Sequence, residues 1–491
     1  MKQTIKHISV SFLLALLFSL IFYYFNTPIG PSIGSDNAMY LTMGTALSNG
    51  FAPYKEIFDH KGPLLYLLQW IPQAIAGGYS TISVFIMELL FLTCCLFIIS
   101  KIAALFSLPA FLLQIIYLAM ASPLTGGGNL SEEYTNLPSL LVFYLVLSLF
   151  YNDLSQVKNK KEVFIKATLS GVCCAFCFLV RANNVLPLFV LLISLSFFLL
   201  FSKNYSTLIL SAAGTVLGLL ILFLPILFWL YNRGVLYDAF YGSILHNFMY
   251  AGNKEGAGRI FMLFSSWYGH MALLLFFLTF LGAFALYLQN GNLFLSCSLV
   301  FSGLAGLIAA FLSHKYYQHY LMISLPASLT GTALIFNYMK KEPKLSRLLP
   351  IVCILCFLPL IIEGNQCLKI RKEDTQSLPE FTQDALSLYH QVPEEEQNRF
   401  MAYRVEPKWY VVTKSLPCIR FYFLQEMLAE VNPSIMDEIV DDFNNNPPLW
   451  IVIYNKDRVF SPPYDQRMQY IFEHDYEYVD SAGGYQLMKH I

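Results

Sequence analysis

The chain has 491 residues, 56% of them hydrophobic and only 13% charged, with a formal net charge of −1. Soluble domains carry about 25% charged residues, so this composition excludes an ordinary soluble protein. A balance so close to neutral also argues against a polyanionic partner such as nucleic acid, and the placement of the charges becomes the informative quantity.

Apolar runs of about 20 residues recur as far as residue 363, and within lipid such runs must be helical, because a helix satisfies its own backbone polar groups. The first, 8–26, follows Lys2 and Lys6. It resembles a secretory signal, but its apolar core exceeds the usual length of about 7–15 residues and no Ala-x-Ala site follows, so it reads as an uncleaved first helix. Next comes a polar stretch from Asp36 to Pro63 with Lys55, Glu56, Asp59, His60 and Lys61. Ionisable groups beside a membrane carry a desolvation cost and usually serve chemistry. Asp36 begins an amphipathic helix, Asn37 to Ser48, where the backbone dipole favours a carboxylate. Its position suits a helix cap, a role Ser35 could also fill, and a catalytic group equally well.

Asp59-His60-Lys61-Gly62-Pro63 stands just before the apolar segment 63–77. A lysine there can bind a phosphate oxygen, and a proline at a helix start wastes no donor. Snorkelling to lipid headgroups explains Lys55 and Lys61 as well, but not an acid, an imidazole and an amine in consecutive positions. The segment 63–77 is shorter than the roughly 17–25 residues of a span, and predicts a juxtamembrane or re-entrant helix with Tyr66 and Trp70 at the interface.

Further spans are expected at 80–100, 103–121, 136–151, 165–181, 184–201, 207–231, 262–288, 292–312, 320–338 and 347–363, about eleven with the first. Glu88 is an acid inside one of them for which the pattern offers no account. With the N-terminus in the cytoplasm, Lys101, Lys158, Lys160, Lys161, Lys166, Lys203, Lys340, Lys341, Lys344 and Arg347 fall on the cytoplasmic side, as the positive-inside rule requires. The outer face then carries 27–79, 122–135, 232–261, 313–319 and the tail from 364. The expected location is a bacterial plasma membrane.

Several polar groups share that outer face. After the glycine run Gly126-Gly127-Gly128 come Ser131, Glu132 and Glu133 at the mouth of a span. Ser131 is a plausible cap. One of these acids, facing Asp36, could deprotonate an acceptor hydroxyl or hold a divalent cation. Arg181-Ala182-Asn183-Asn184 and His314-Lys315-Tyr316-Tyr317-Gln318-His319-Tyr320 interrupt later apolar stretches, and an arginine and a lysine aimed outward suit a phosphate. The five-residue spacing of His314 and His319 misses one helical face and makes a poor zinc site. The stretch 237–259, with His246, Tyr250, Lys254, Glu255 and Arg259, is long enough for a lid or an ordinary surface loop.

The cysteine pairs and triplet at 94–95, 173–177 and 353–356 lie in apolar runs and behave as small hydrophobes, whereas Cys367 and Cys418 lie outside the spans and could pair. The tail is charged. Trp409 to Val412 and Trp450 to Tyr454 read as strands, Ile435 to Phe443 as a helix capped by Ser434, and Tyr478-Val479 and Tyr485 to Met488 as further strands. A small α/β domain follows. There is no phosphate-binding GxxxxGK[ST] loop and no nucleophile elbow.

Taken in order, these residues resemble the GT-C superfamily of membrane glycosyltransferases, in the bacterial branch related to protein O-mannosyltransferases and aminoarabinose transferases. The resemblance rests on an acid after the first span (Asp36), a basic-proline motif opening a juxtamembrane helix (Lys61-Gly62-Pro63), and acids at the next outer loop (Glu132-Glu133). It covers residues 8 to about 363. It implies an α-helical polytopic domain at 1–363 and a small extracytoplasmic α/β domain at 364–491. It also implies hexosyl or pentosyl transfer from a polyprenyl-phosphate sugar to an extracytoplasmic acceptor, an envelope glycan, a lipid or a protein. In that scheme Asp36 is the general base of an inverting-type attack and Lys61 contacts the donor phosphate, helped by Arg181, Lys315 or His319. Asp59 and His60 support Lys61, and Glu132 or Glu133 orients the acceptor or supports Asp36. Asn37 stands where many relatives have a second acid, which weakens an acid-pair metal site in the first loop.

A transporter or flippase of lipid-linked sugars is the rival reading, and it predicts ionisable groups at mid-membrane and broken helices in paired halves. A membrane scaffold displaying the tail would leave the outer loops bland, which they are not.

Overall fold

The computed structural model describes residues 2–29, 32–151, 159–252, 264–312, 315–347, 349–355, 357–454 and 465–491. Lys158, Lys254, Glu255, Arg259 and His314 lie outside them. The helices that position the site are α1 (Lys2–Phe22), α2 (Ser35–Ser48), α3 (Pro63–Ala76), α4 (Thr81–Leu105), α5 (Ala110–Ala121), α6 (Ser131–Phe150), α7 (Lys160–Val180), α8 (Leu186–Phe201) and α9 (Tyr205–Asn232). Of these, α1, α4, α6, α7, α9 and the segment Ala182–Phe201 that contains α8 join Trp267–Asn290, Leu293–Phe311 and Gln318–Lys341 to make nine that are long and apolar enough to cross a membrane among the described residues. This is a multi-pass membrane protein. α5 is apolar but only 12 residues long. Where 347–363 was expected to span, Leu349–Leu355 is followed by the 33-residue helix Phe357–Tyr389, which carries an apolar start into the charged tail.

The chain forms two compact units. The first comprises Met1–Tyr23, Ile86–Trp229 and Lys254–Leu368. Its helices touch backbone to backbone at small residues, the usual solution where lipid removes any hydrophobic drive between helices. A Cβ on Gly171 would lie 2.1 Å from the Thr215 carbonyl oxygen, and one on Gly282 would lie 2.2 Å from the Gly331 Cα. Polar side chains join helices as well: the Gln114 amide of α5 donates to Ser11 Oγ of α1 and to the Leu96 carbonyl of α4, each at 2.9 Å.

The second unit comprises Tyr24–Phe85, Leu230–Asn253 and Lys369–Ile491, so the first loop and the tail fold together. α2 and α3 pack closely, because Gly44 leaves no room for a Cβ, which would sit 2.5 Å from the Gln69 carbonyl oxygen. The Phe58 N–H donates to the Arg420 carbonyl at 2.9 Å, and Arg420 Nε donates to the Tyr54 carbonyl at 2.8 Å. The tail holds a four-stranded mixed sheet in the order β1 (Phe400–Ala402), β2 (Trp450–Tyr454), β4 (Tyr485–His490), β3 (Tyr476–Ala482). β1 runs parallel to β2, and β4 antiparallel to β2 and β3. Every residue of β2 is buried, as its unbroken apolar run implies.

Two readings of the tail are corrected. Trp409 to Val412 is not a strand but part of the helix Lys408–Thr413, which buries Trp409, Tyr410 and Thr413. That is helical spacing, and Pro407 before it and a left-handed Lys414 after it bound a single turn. Ser434 is the first residue of the helix Ser434–Asn445 rather than its cap, and its hydroxyl donates to the Asn432 side chain at 2.9 Å. Cys418 carries a free thiol.

Candidate active site

In the second unit, α3 begins where an extended Gly62 meets Pro63 at the first helical position. The chain just before this start is fixed by two tyrosines. The Tyr54 hydroxyl donates to the Lys61 carbonyl at 2.8 Å, and the Lys61 N–H donates to the Tyr66 hydroxyl at 2.9 Å. Tyr66 in turn donates to Asp59 Oδ2 at 2.7 Å. Tyr66 is therefore fully buried structure rather than the interfacial anchor expected of it, whereas Trp70 is 39% exposed.

The three consecutive ionisable residues form a chain of contacts. His60 Nδ1 lies 3.2 Å from Asp59 Oδ1, and His60 Nε2 lies 2.9 Å from Lys61 Nζ. Asn247 Nδ2 holds the His60 carbonyl at 2.7 Å. Burial alone would raise the Asp59 pKa, but the Lys61 charge, His60 and the Tyr66 hydroxyl outweigh it and hold the carboxyl well below its ordinary value. His246 packs its ring 5.9 Å from that of His60. Burial first, and then the neighbouring His60 and Lys61, push its pKa down to about 4, so it is neutral.

Asp36 occupies the first turn of α2 and is half-buried. The cap is Gly34 and no side chain caps the helix, so neither Ser35 nor Asp36 is spent on capping.

In the first unit, Glu132 is fully buried in the first turn of α6 and ion-paired with Arg181 Nη1. Ser131 is not a cap: its hydroxyl donates to Glu132 Oε2 at 2.8 Å. Arg181 closes the C-terminus of α7, where a cation opposes the helix dipole favourably, and its guanidinium lies 4.2 Å above the Tyr320 ring. The His319 ring sits 4.7 Å from that of Tyr320, edge to face, on the side chain that Arg181 covers. Lys315, four residues earlier, is half-buried. The Glu133 carboxylate accepts the Leu130 N–H at 3.2 Å through Oε2. Among the described residues no group of three or more His, Cys, Asp or Glu side chains is placed to hold a metal ion.

The structure thus gathers Asp59, His60 and Lys61 in one cluster and Glu132, Arg181 and His319 in another. Tyr54 and Asn247 were not visible as participants, since nothing marks a lone tyrosine, or an asparagine whose partner lies 187 residues away along the chain.

No family model matches the chain, and no curated protein matches it in sequence. Solved structures do match it in shape. ArnT from Cupriavidus metallidurans bound to undecaprenyl phosphate superposes with a TM-score of 0.63 at 11% identity, covering 98% of each chain. Its apo state gives 0.60 at 11% identity, over 98% of this chain and 97% of that one. The chain has the fold of ArnT. The Archaeoglobus fulgidus oligosaccharyltransferase in its apo form extends the likeness, with a TM-score of 0.55 at 11% identity over 91% of this chain and 69% of that one. At such identities the likeness is one of fold.

Proposed function

We propose that this protein is a membrane glycosyltransferase that moves a sugar from a polyprenyl-phosphate donor to an extracytoplasmic acceptor hydroxyl. The observation that carries the reading is Lys61. Its side chain is 8% exposed and its ammonium lies 2.9 Å from His60 Nε2, with no carboxylate within ion-pair distance among the described residues. A buried charge without a direct counterion is costly, and an anionic ligand removes that cost. A lysine at a glycine-proline helix start is a suitable point charge for phosphate. The structural likeness to ArnT, solved with undecaprenyl phosphate, supports the lipid-phosphate donor class.

The reaction then follows from the residues. The acceptor oxygen attacks the anomeric carbon, the bond from that carbon to the phosphate oxygen breaks, and the lipid phosphate leaves as an anion. Asp36 takes the acceptor proton as general base, which its uncapped position leaves it able to do. Lys61 stabilises the departing phosphate electrostatically and need not give up a proton. Asp59 and His60 hold Lys61 in place. In the other unit, Arg181, Lys315 and His319 are candidate phosphate contacts, and Glu132 and Glu133 candidate groups for orienting an acceptor. Apolar clefts between helices suit an isoprenoid tail.

The test is binding of a polyprenyl phosphate to purified protein. Lys61→Ala should weaken it roughly tenfold to a thousandfold, the scale of removing one partner of a buried charge contact. Unchanged affinity in that variant would remove Lys61 from the site.

A further inference from the structure

Glu88 lies inside α4, is 3% exposed, and takes no part in the scheme above. One of its carboxylate oxygens, Oε1, accepts the backbone N–H of Asn129. The turn that presents this N–H is unusual. Gly126, Gly127, Gly128 and Asn129 have φ of 53, 101, 98 and 56°, four successive residues in the left-handed region that glycine and asparagine tolerate best. A Cβ on Gly128 would lie 2.6 Å from Glu88 Oε1 and 3.1 Å from the Tyr23 ring, so the turn is moulded against these two side chains. The Tyr134 hydroxyl secures the Asn129 side-chain oxygen at 2.6 Å. α6 starts directly afterwards, with Glu132 and Glu133 in its first turn.

Glu133 is 8% exposed, and its Oε1 is buried with no hydrogen-bond partner. Glu88 and Glu133 both line a small cavity of about 20 Å³. The titratable groups facing them there are Tyr23 after α1, Cys95 of α4, Tyr117 of α5 and Tyr134 of α6; among the described residues no lysine, arginine or histidine lines the space. The neighbouring Glu132 is matched by Arg181 and supplies no counter-charge. A cavity of this size takes one water molecule, given polar partners. Two carboxyl groups that share a buried space without a cation do not both ionise.

We propose that this cavity binds a single water, that Glu88 and Glu133 share one proton across it, and that the pair positions the 126–133 turn that presents Glu132. The neutral carboxyl donates to the water and the water donates to the remaining carboxylate, which satisfies the idle Glu133 oxygen. Glu88 is a positioning residue: it acts through the Asn129 N–H. The effect on catalysis rests on the proposed function, but the protonation state does not.

Infrared difference spectroscopy on the full-length protein in nanodiscs separates the two. The expected result is a protonated-carboxyl band at neutral pH that shifts in heavy water and is absent from both Glu133→Gln and Glu88→Gln. No such band in the unmodified protein, or a band that survives in either variant, overturns the shared proton; one bound cation per chain by elemental analysis would do the same. For positioning, Glu88→Gln keeps an acceptor for the Asn129 N–H and should retain transfer while losing the alkaline limb of the pH profile. Glu88→Leu orphans that N–H and should lower kcat at least about tenfold with KM unchanged. Wild-type kinetics in Glu88→Leu would overturn the positioning role. If the protein transfers no sugar at all, the infrared result still decides the proton.

Discussion

Asp36, Lys61 and Glu132 meet three different surroundings, and each surrounding dictates a different experimental response. Asp36 is neither a cap nor deeply buried, so Asp36→Asn should leave folding intact and lower turnover by about 10²–10⁴, the usual contribution of a general base. Turnover assays on membrane-inserted protein check this, and full activity would remove Asp36 as base. Glu132 is fully buried and held by Arg181. Arg181→Ala leaves that carboxylate uncompensated and should cost about 3–5 kcal/mol, whereas removing both charges together with Glu132→Gln should recover part of the loss. Thermal unfolding in detergent measures both. His246 responds to pH. Its ordinary value of 6.5 falls to about 4 in the folded protein, so the neutral ring contributes stability that is complete above pH 6.5 and is lost as pH falls through 6.5 toward 4. Asp59 is also depressed, but its contribution is complete above 3.8 and declines only below that value. The melting temperature should therefore drop between pH 7 and pH 5, and His246→Phe should flatten the drop. An equal drop in that variant would assign it elsewhere.

The elements follow two kinds of rule, one local and one not. Apolar length alone requires α1, α4 and α9 to be helices, and Pro63 starts α3 where a proline is expected. Val411 and Val412 sit in a helix against their strand preference, because one helical turn buries Trp409 and Tyr410 together. Glycine positions are similar: apolar length places Gly171 in a span, but only the fold brings a Cβ there against the Thr215 carbonyl. Gly171→Val should force the α7 and α9 backbones apart and cost at least about 1–3 kcal/mol. The same change at Gly282 should behave alike, against the Gly331 backbone. Expression level and unfolding temperature in detergent read the effect, and a wild-type melting point would mean that the helices can separate freely.

Across the whole molecule, the fold likeness to ArnT extends over 98% of the chain, and the proposed chemistry predicts a cellular consequence. Mass analysis of envelope glycans with and without the gene should show one sugar decoration missing, which would identify donor sugar and acceptor together. An unchanged envelope beside intact lipid-phosphate binding would favour a transporter of lipid-linked sugars instead.

By itself the sequence determined the class of molecule and its inventory: spans by apolar length, a charged tail, and acids and bases confined to a few short stretches. Those properties are local, since a run of apolar residues or an Asp-His-Lys triplet has the same meaning wherever the chain goes. Only the tertiary structure decided which groups answer one another. It gave Glu132 to Arg181, brought Asn247 to the His60 backbone, and folded the first loop with the tail. It also turned Glu88 from an unexplained acid into the acceptor for a left-handed turn. Such pairings depend on distances across the folded chain, where burial removes water and makes each unmet charge or donor count.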